Sequence, residues 1–253
     1  MNDDFIVETV GLTKHFRGFC ALRDVNLKIR RGTIHAMIGP NGAGKTTCFN
    51  LITKFLPPSA GRILFKGRDI TARNPAEIAR LGVVRGFQIS AVFPHLSAIE
   101  NIRISLQRTR NDSFHFWKSE RVLSVLDARA RELLAEVGLL DFADLPAAEL
   151  PYGRKRALEI ATTLALEPEM LLLDEPTAGM DREDIRRVSD LVRRVSANRT
   201  VLMVEHNLSV VADLSDTITV LARGEILAEG KYSEVSRERA VIEAYMGTGA
   251  GHA

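Results

Sequence analysis

The residues from Gly39 to Thr47 read Gly-Pro-Asn-Gly-Ala-Gly-Lys-Thr-Thr, which fits the pattern Gly-x-x-x-x-Gly-Lys-[Ser/Thr]. Such a loop holds a polyanion with backbone N–H groups that point inward, and its glycines let the backbone take positive φ and approach phosphates closely. Lys45 adds a positive charge for the β- and γ-phosphates, and the Thr46 hydroxyl can bind Mg²⁺. The loop therefore predicts a site for a nucleoside triphosphate.

The segments on either side of the loop support this interpretation. Thr33–Ile38 is a short apolar, β-prone run that predicts a buried strand, and Thr46–Leu56 predicts a helix that stops before Pro57. The partial positive charge at the N-terminus of that helix would face the same anion. A glycine-rich turn without a ligand would not require this order of strand, loop and helix.

Two carboxylates follow the apolar run Met170–Leu173. Asp174, at the end of the predicted strand, is placed to hold the Mg²⁺ shell, and Glu175 is suited to polarise an attacking water. The alternative is a pair of solvated residues that end a strand.

Two further polar residues end predicted strands. Gln88 closes the predicted strand Val83–Gln88 and can offer its carbonyl oxygen to Mg²⁺ or to water, while His206 follows Val201–Val204 and could contact the γ-phosphate. Taken alone, each would be an ordinary surface or strand-end residue.

Length and composition set the class of protein. The chain has 253 residues, 45% hydrophobic content and a formal net charge of +2, so it can hold an α/β domain with an insertion, and its charge does not favour nucleic acid. Its two cysteines predict neither a metal cluster nor a disulfide framework. No apolar run approaches the roughly 20 residues of a membrane span, and no signal segment is visible, so we expect a cytoplasmic protein.

Hydrophobic patterning predicts an α/β core with an insertion. We expect the core at 1–88 and 152–246, a helical insertion at 89–151, and a flexible tail at 247–253. Predicted strands are Phe5–Val10, Val25–Ile29, Ile63–Phe65, Val83–Gln88, Met170–Leu173, Thr200–Val204 and a hairpin over Thr217–Glu229. Predicted helices cover Ala98–Leu106, a segment that ends at Gly138, a segment after Pro151, and Asp181–Ala197.

These motifs together carry a family resemblance. In order, the chain holds Phe16, Gly39–Thr47, Gln88, Leu150–Arg154, Asp174-Glu175, Ala178–Asp181 and His206. This order resembles the nucleotide-binding subunit of an ABC transporter, over the chain from about residue 5 to residue 246. The resemblance implies an α/β fold with a P-loop NTPase (RecA-like) core, an antiparallel β subdomain and an inserted α-helical subdomain. It also implies hydrolysis of ATP with Mg²⁺.

The resemblance assigns site residues to two chains, because such subunits sandwich two ATP molecules in a head-to-tail homodimer or heterodimer. Phe16 would stack on adenine, and Glu175, His206, Lys45 and Gln88 would act in catalysis, with Thr46, Gln88 and Asp174 at Mg²⁺. The residues expected to bind ATP in their own chain are Phe16, Gly39, Pro40, Asn41, Gly42, Ala43, Gly44, Lys45, Thr46, Thr47, Gln88 and Asp174. Those expected to complete the partner's site are Pro151, Tyr152, Gly153, Arg154 and Asp181.

The chain departs from the family in the second group. The usual Leu-Ser-Gly-Gly-Gln has become Leu-Pro-Tyr-Gly-Arg, so Pro151 removes a hydroxyl that would bind the γ-phosphate. Proline suits the first turn of a helix, and the Gly153 N–H and the helix N-terminus remain as donors. We expect the site to close nevertheless, with Arg154 adding charge.

Within the family, the chain is most similar to ATP-binding subunits of bacterial importers for branched-chain amino acids and related amides. The resemblance is carried by Tyr152-Gly153, Phe93–Leu96, Arg103–Arg131, Asp174–Asp181 and the ending Val241–Gly247. It implies transmembrane permease subunits, an external solute-binding protein as an indirect partner, no nucleic acid, and a peripheral position on the cytoplasmic face of the plasma membrane.

Three alternatives share part of this pattern. An ABC ATPase for lipid or lipopolysaccharide export would keep every catalytic residue. A non-transport ABC ATPase that acts on ribosomes or DNA usually has two nucleotide modules or a long coiled-coil insertion. A P-loop GTPase or small-molecule kinase is disfavoured because the guanine motif Asn-Lys-x-Asp is missing.

Overall fold

A parallel sheet forms the centre of the computed structural model, which describes residues 4–86, 92–109 and 120–246. The strand order is β11-β10-β4-β9-β8-β7, in which β11 alone runs antiparallel to its neighbour. The strands are β4 (Ile34–Ile38), β7 (Val83–Gly86), β8 (Met170–Asp174), β9 (Thr200–Val204), β10 (Thr217–Ala222) and β11 (Glu225–Gly230). Every residue of β4, β8 and β9 is buried, as in sheets covered on both faces. Because these strands are parallel, their carboxyl ends meet at one edge, where ligands bind in such folds.

The strands of a second sheet pair antiparallel in the order β2-β1-β5-β6, with β3 paired to β1. Its strands are β1 (Phe5–Phe16), β2 (Phe19–Val25), β3 (Lys28–Arg30), β5 (Ala60–Phe65) and β6 (Arg68–Asp69). The predicted single strand Val25–Ile29 is wrong, because β2 ends at Val25 and β3 begins only at Lys28. Thr9 of β1 bridges that break, since its hydroxyl donates to the Val25 carbonyl and accepts from the Leu27 N–H, both at 2.8 Å.

Helices cover both faces of the parallel sheet. They are α1 (Lys45–Ile52), α2 (Pro75–Arg80), α3 (Ala98–Thr109), α4 (Glu120–Glu136), α5 (Tyr152–Leu164), α6 (Arg182–Ser196), α7 (Leu208–Leu214), α8 (Tyr232–Val235) and α9 (Arg239–Met246). α1 ends four residues before the predicted Leu56, because Lys54 takes the left-handed conformation with φ of 62°. α2 was not predicted, and Asn74 and Glu77 form its capping box.

The side chains of the parallel sheet divide between two hydrophobic clusters. Leu171 and Leu173 of β8 belong to a cluster with α3 and α4, the helices of the predicted insertion, and with α5 and α6. Met170 and Leu172 instead belong to a cluster with α1 and the antiparallel sheet. The sheet is thus the shared middle layer of a three-layer fold. The predicted boundary at 88/89 lies outside the described residues, so the division into domains stays a prediction. Within the described ranges, no helix has the length and hydropathy that a membrane crossing requires.

A buried histidine lies on β4, directly before the glycine loop. The His35 Nε2 atom is 2.7 Å from the Thr219 hydroxyl, which donates in turn to Glu229 Oε2 at 2.8 Å. The hydroxyl therefore accepts from His35, which fixes the Nε2–H tautomer of a neutral imidazole. Burial lowers the pKa of His35 from its ordinary 6.5 to about 4.

We expect this histidine to make the fold sensitive to acid. Below pH 6.5 the imidazole binds a proton in the unfolded chain but not in the folded chain, so stability falls as the pH drops towards 4. Relative to His35→Gln, the wild-type free energy of unfolding should decrease by up to about 3 kcal/mol across this window. Urea titrations of both proteins between pH 7 and pH 4 measure the difference, and parallel pH profiles would contradict the assignment.

Candidate functional site

The loop between β4 and α1 is shaped by two glycines. Gly39 leaves β4 with φ of 147°, and a Cβ atom there would lie 2.0 Å from the Leu221 carbonyl oxygen. Gly44, the N-cap of α1, has φ of 104°, and its Cβ would lie 2.7 Å from the Ala21 carbonyl oxygen. A side chain at either position would displace neighbouring backbone, so both positions require glycine.

Lys45 begins α1, and its side chain folds back onto the loop. Its Nζ atom donates to the carbonyl oxygens of Gly39 at 2.6 Å and Pro40 at 3.0 Å, and the residue is only 6% exposed. Burial lowers the pKa of this ammonium group, while the nearby Glu175 and Asp174 carboxylates act in the opposite direction. The loop carbonyls thus hold a positive charge in a fixed position beside the loop amides.

A cleft of about 340 Å³ opens in front of the loop. Phe16 and Phe19 pair across the β1–β2 turn on one side of it and are 41% and 65% exposed. The residues that line the cleft are Phe16, Phe19, Ala21, Asn41, Gly42, Ala43, Gly44, Lys45, Thr46, Thr47, Glu175 and His206. Aromatic rings at one end and a cation with backbone amides at the other suit a ligand that joins a planar base to phosphates.

Glu175 and His206 meet at the edge of the sheet because β8 and β9 are adjacent and parallel. The His206 Nε2 atom lies 3.0 Å from Glu175 Oε1. Glu175 has φ of 48°, which is uncommon outside glycine, and its N–H donates to the Val204 carbonyl at 2.8 Å. Glu175 is a candidate for function because this left-handed conformation occurs beside the cleft and in contact with His206.

Asp174 is 1% exposed and is bound by two arginines. Arg85 of β7 forms an ion pair with its Oδ2 atom and also donates to Asn50 Oδ1 at 2.6 Å. Arg156 of α5 donates from Nη2 to the Asp174 carbonyl oxygen at 2.8 Å. The end of β8 is therefore fixed from both a neighbouring strand and a helix.

The oxygen groups near the loop fit Mg²⁺ as a nucleotide site would bind it. Mg²⁺ prefers oxygen ligands, keeps several waters, and usually takes one or two protein groups together with substrate phosphates. Thr46 is exposed in the cleft, whereas Asp174 is buried and does not line the cleft, so Asp174 could act on the ion only through a water. In the described part of the chain, no three His, Cys, Asp or Glu side chains cluster as a metal site of their own.

The Arg85–Asp174 pair predicts a large loss of stability on substitution. Arg85→Met would leave a buried carboxylate without its cation, and breaking a buried pair costs about 3–5 kcal/mol. Adding Asp174→Asn should recover part of this loss, because it removes the unpaired charge. Urea denaturation measures both effects. A loss below about 1 kcal/mol, typical of surface pairs, would show that the pair is not buried in solution.

The residues expected to complete a partner's site lie outside this cleft. Pro151 is the N-cap of α5, and Gly153 follows in the first turn, where a Cβ would lie 2.4 Å from the Asp184 carboxyl group. Asp181 is the N-cap of α6 and accepts from the N–H groups of Glu183 at 2.9 Å and Asp184 at 2.8 Å. Asp184 thus lies against both Gly153 and Asp181, and the starts of α5 and α6 are adjacent.

Tyr152 and Arg154 have contacts within their own chain. The Tyr152 hydroxyl donates to the Ala178 carbonyl at 3.3 Å, which joins the start of α5 to the segment before Asp181. The Arg154 guanidinium stacks on Phe142, 3.7 Å from the ring centroid. The guanidinium keeps its charge in this contact, so the added charge that we expected from Arg154 at a partner's site stays a prediction.

Several predicted residues fall where the structure gives no description. Gln88, assigned to Mg²⁺ or water, lies outside the described residues, as does the predicted flexible tail 247–253. Their roles remain predictions.

Sequence reasoning missed four residues of the site. Phe19 could have been found, since it mirrors Phe16 across the Arg17-Gly18 turn. Arg85 and Glu205 gave only a weak signal, a single charge within or beside an apolar segment, and Arg156 is the last of three consecutive basic residues. Glu205 is buried, and it accepts from the Thr177 N–H at 2.9 Å and from the His206 N–H at 3.0 Å. It therefore supports the backbone on both sides of the Glu175–His206 pair.

Comparison with known proteins shows which family the chain is similar to. The family model "ABC transporter" matches residues 22–178, and the model "Branched-chain amino acid ATP-binding cassette transporter" matches residues 225–251. The chain is 38% identical to the high-affinity branched-chain amino acid transport ATP-binding protein BraF of Pseudomonas aeruginosa, over 96% of this chain and 98% of that protein.

Solved structures show the same similarity in the fold. An ATP-binding cassette of an ABC transporter in its ADP conformation has a TM-score of 0.84 at 31% identity, over 96% of this chain and 99% of that one. A dimeric bacterial ABC transporter cassette has a TM-score of 0.74 at 25% identity, over 89% and 98% of the two chains. The predicted P-loop NTPase core with its antiparallel and helical additions is confirmed. The chain belongs to the ATP-binding proteins of the ABC transporter family.

Proposed function

We propose that this chain hydrolyses ATP as the nucleotide-binding subunit of a membrane importer for branched-chain amino acids or similar small polar solutes. ATPase activity is the activity of its family. The observation that carries the proposal is that the glycine loop, Lys45, Glu175 and His206 line one cleft beside two exposed aromatic rings.

Hydrolysis would proceed by in-line attack of water on the γ-phosphate. Phosphoryl transfer depends mainly on positioning and on stabilising charge, which the loop amides and Lys45 supply. Glu175 would accept hydrogen bonds from the attacking water and orient it, and His206, 3.0 Å away, would orient Glu175 and contact the γ-phosphate. When bound, Mg²⁺ would neutralise charge on the β- and γ-phosphates, held by Thr46 and, through water, by Asp174.

The active form would be a dimer of two nucleotide-binding subunits. The five residues expected to act in trans lie away from the cleft of their own chain, so a nucleotide that they contact would be one bound by another subunit. They are Pro151, Tyr152, Gly153, Arg154 and Asp181. The donors at the start of α5 would then be the Gly153 N–H and its neighbours, because Pro151 brings no hydroxyl. The dimeric cassette among the similar structures supports this arrangement.

The solute and the membrane partners are inferred from the relatives. BraF is named for branched-chain amino acid transport, and the C-terminal match supports the same group for this chain. Phe93, 53% exposed between the core and the inserted helices, offers an apolar contact for a permease subunit. A solute-binding protein would act only through that permease, and this chain would lie on the cytoplasmic face of the membrane.

Purification of the tagged chain from membranes, with the permease subunits that accompany it, tests the proposal. ATPase activity of the reconstituted complex should increase when leucine-loaded binding protein is added, and excess GTP should compete poorly with ATP. Stimulation by lipid or lipopolysaccharide instead would identify an exporter, and co-purification with ribosomes would point to a non-transport ATPase.

A further inference from the structure

Helix α5 contains a buried ion pair that the proposed chemistry does not yet use. Arg156 Nη1 donates to Glu159 Oε2 at 2.8 Å, and the two side chains are only 11% and 8% exposed. A buried pair of this kind is weak evidence for stability alone, since apolar residues can often replace it without loss. Its contacts outside the helix therefore indicate what it does.

Those contacts reach the end of β8. Arg156 Nη2 donates to the Asp174 carbonyl oxygen at 2.8 Å and approaches the Glu175 carbonyl oxygen at 3.4 Å. The Glu175 carbonyl also accepts from the Ala178 N–H at 3.1 Å. Arg156 thus contacts the two peptide units that set the direction of the Glu175 side chain.

We propose that Arg156 is a positioning residue for ATP hydrolysis, which fixes the strained backbone of Glu175 and makes its position depend on the orientation of helix α5. The inference rests on the proposed function, in which Glu175 orients the attacking water. The N-terminus of the same helix carries Gly153, which the proposed dimer places at the partner's nucleotide. One rigid guanidinium therefore links the occupancy of one nucleotide site to the carboxylate of the other.

The planar shape of the guanidinium makes this link possible. Its two terminal nitrogens point in fixed directions, so one binds Glu159 while the other binds the Asp174 carbonyl. A lysine would keep the charge, but its single ammonium cannot occupy both positions in this planar arrangement. Arg156→Lys therefore separates the positioning role from the charge.

Arg156→Lys should lower kcat for ATP on the order of 10- to 100-fold, with KM and the affinity for an ATP analogue close to wild type. In a Glu175→Gln background the same change should lower the residual rate less than twofold, because the group that Arg156 positions is already inactive. A purely structural role of Arg156 would lower the rate by the same factor in both backgrounds, so this non-additivity distinguishes the two roles.

Arg199→Lys is the matched control, since Arg199 forms a partly buried pair with Glu136 at 3.3 Å near the amino end of β9, far from the cleft. It should leave kcat and KM unchanged even if the melting temperature falls. Equal losses of rate from Arg156→Lys in both backgrounds, or an unchanged wild-type kcat, would overturn the inference. A wild-type protein that hydrolyses no ATP would instead refute the proposed function.

Discussion

Replacement of Glu175 with glutamine should slow ATP hydrolysis by about 10²- to 10⁴-fold and leave ATP binding intact. Glutamine has nearly the same shape, so it can keep the contact with His206, but it carries no negative charge to orient the attacking water. Phosphate release under saturating Mg·ATP measures the rate, and equilibrium binding of a fluorescent ATP analogue measures the affinity.

The same variant should stop the cycle before hydrolysis. If the site is completed by a second chain, ATP-bound Glu175→Gln should accumulate as a dimer, which light scattering detects. The wild-type protein should return to monomers as ATP is consumed. A permanently monomeric variant with bound ATP would contradict the role of Pro151, Gly153 and Asp181 in the partner's site.

Glu167 provides a matched control for this substitution. It is another left-handed glutamate, with φ of 51°, and it lies just before β8, at the opposite end from Glu175. Glu167→Gln should leave the hydrolysis rate unchanged, because this carboxylate does not line the cleft. Wild-type turnover by Glu175→Gln would remove this residue from the proposed mechanism.

The parts of the site that could be predicted from sequence are encoded locally. The loop from Gly39 to Thr47 needs particular residue types at fixed spacing, because its glycines must avoid the Leu221 and Ala21 carbonyls. Asp174 and Glu175 were found for a related reason, since a buried apolar strand that ends in two carboxylates is a strong local signal. Parallel strand order then brings these separate segments together without further information.

The parts that could not be predicted depend on contacts between distant segments. Arg85 and Arg156 lie in β7 and α5, and only the folded chain shows that both reach Asp174. The break between β2 and β3 depends in the same way on the hydroxyl of Thr9, a residue of another strand. Sequence patterns indicate whether a segment is a helix or a strand. Side chains that bridge two elements determine where a strand ends and which site residue is held in place.

Lys45→Met should cause the largest loss of function, because it removes a positive charge that would stabilise both the bound ATP and the transition state. A charge-assisted contact contributes about 1.5–3 kcal/mol, so ATP affinity should fall roughly 10- to 100-fold. Loss of a preorganised cation at the transferred phosphate should lower kcat by a further factor of about 10²–10³. Titrations with ATP and with AMP show whether the lost affinity comes from the β- and γ-phosphates. AMP lacks both phosphates and should bind to the variant nearly as it does to wild type.

The position of Lys45 explains why another cation cannot replace it. Its ammonium is held by the Gly39 and Pro40 carbonyls at the start of the loop, so the charge is fixed before the nucleotide arrives. Lys45→Arg should therefore recover little of the activity, because the wider guanidinium does not fit between these carbonyls. Lys66→Met, which removes an ion pair with Glu169 away from the cleft, should leave ATP affinity unchanged. If Lys45→Met bound ATP as tightly as wild type, the loop would not be the site of the phosphates.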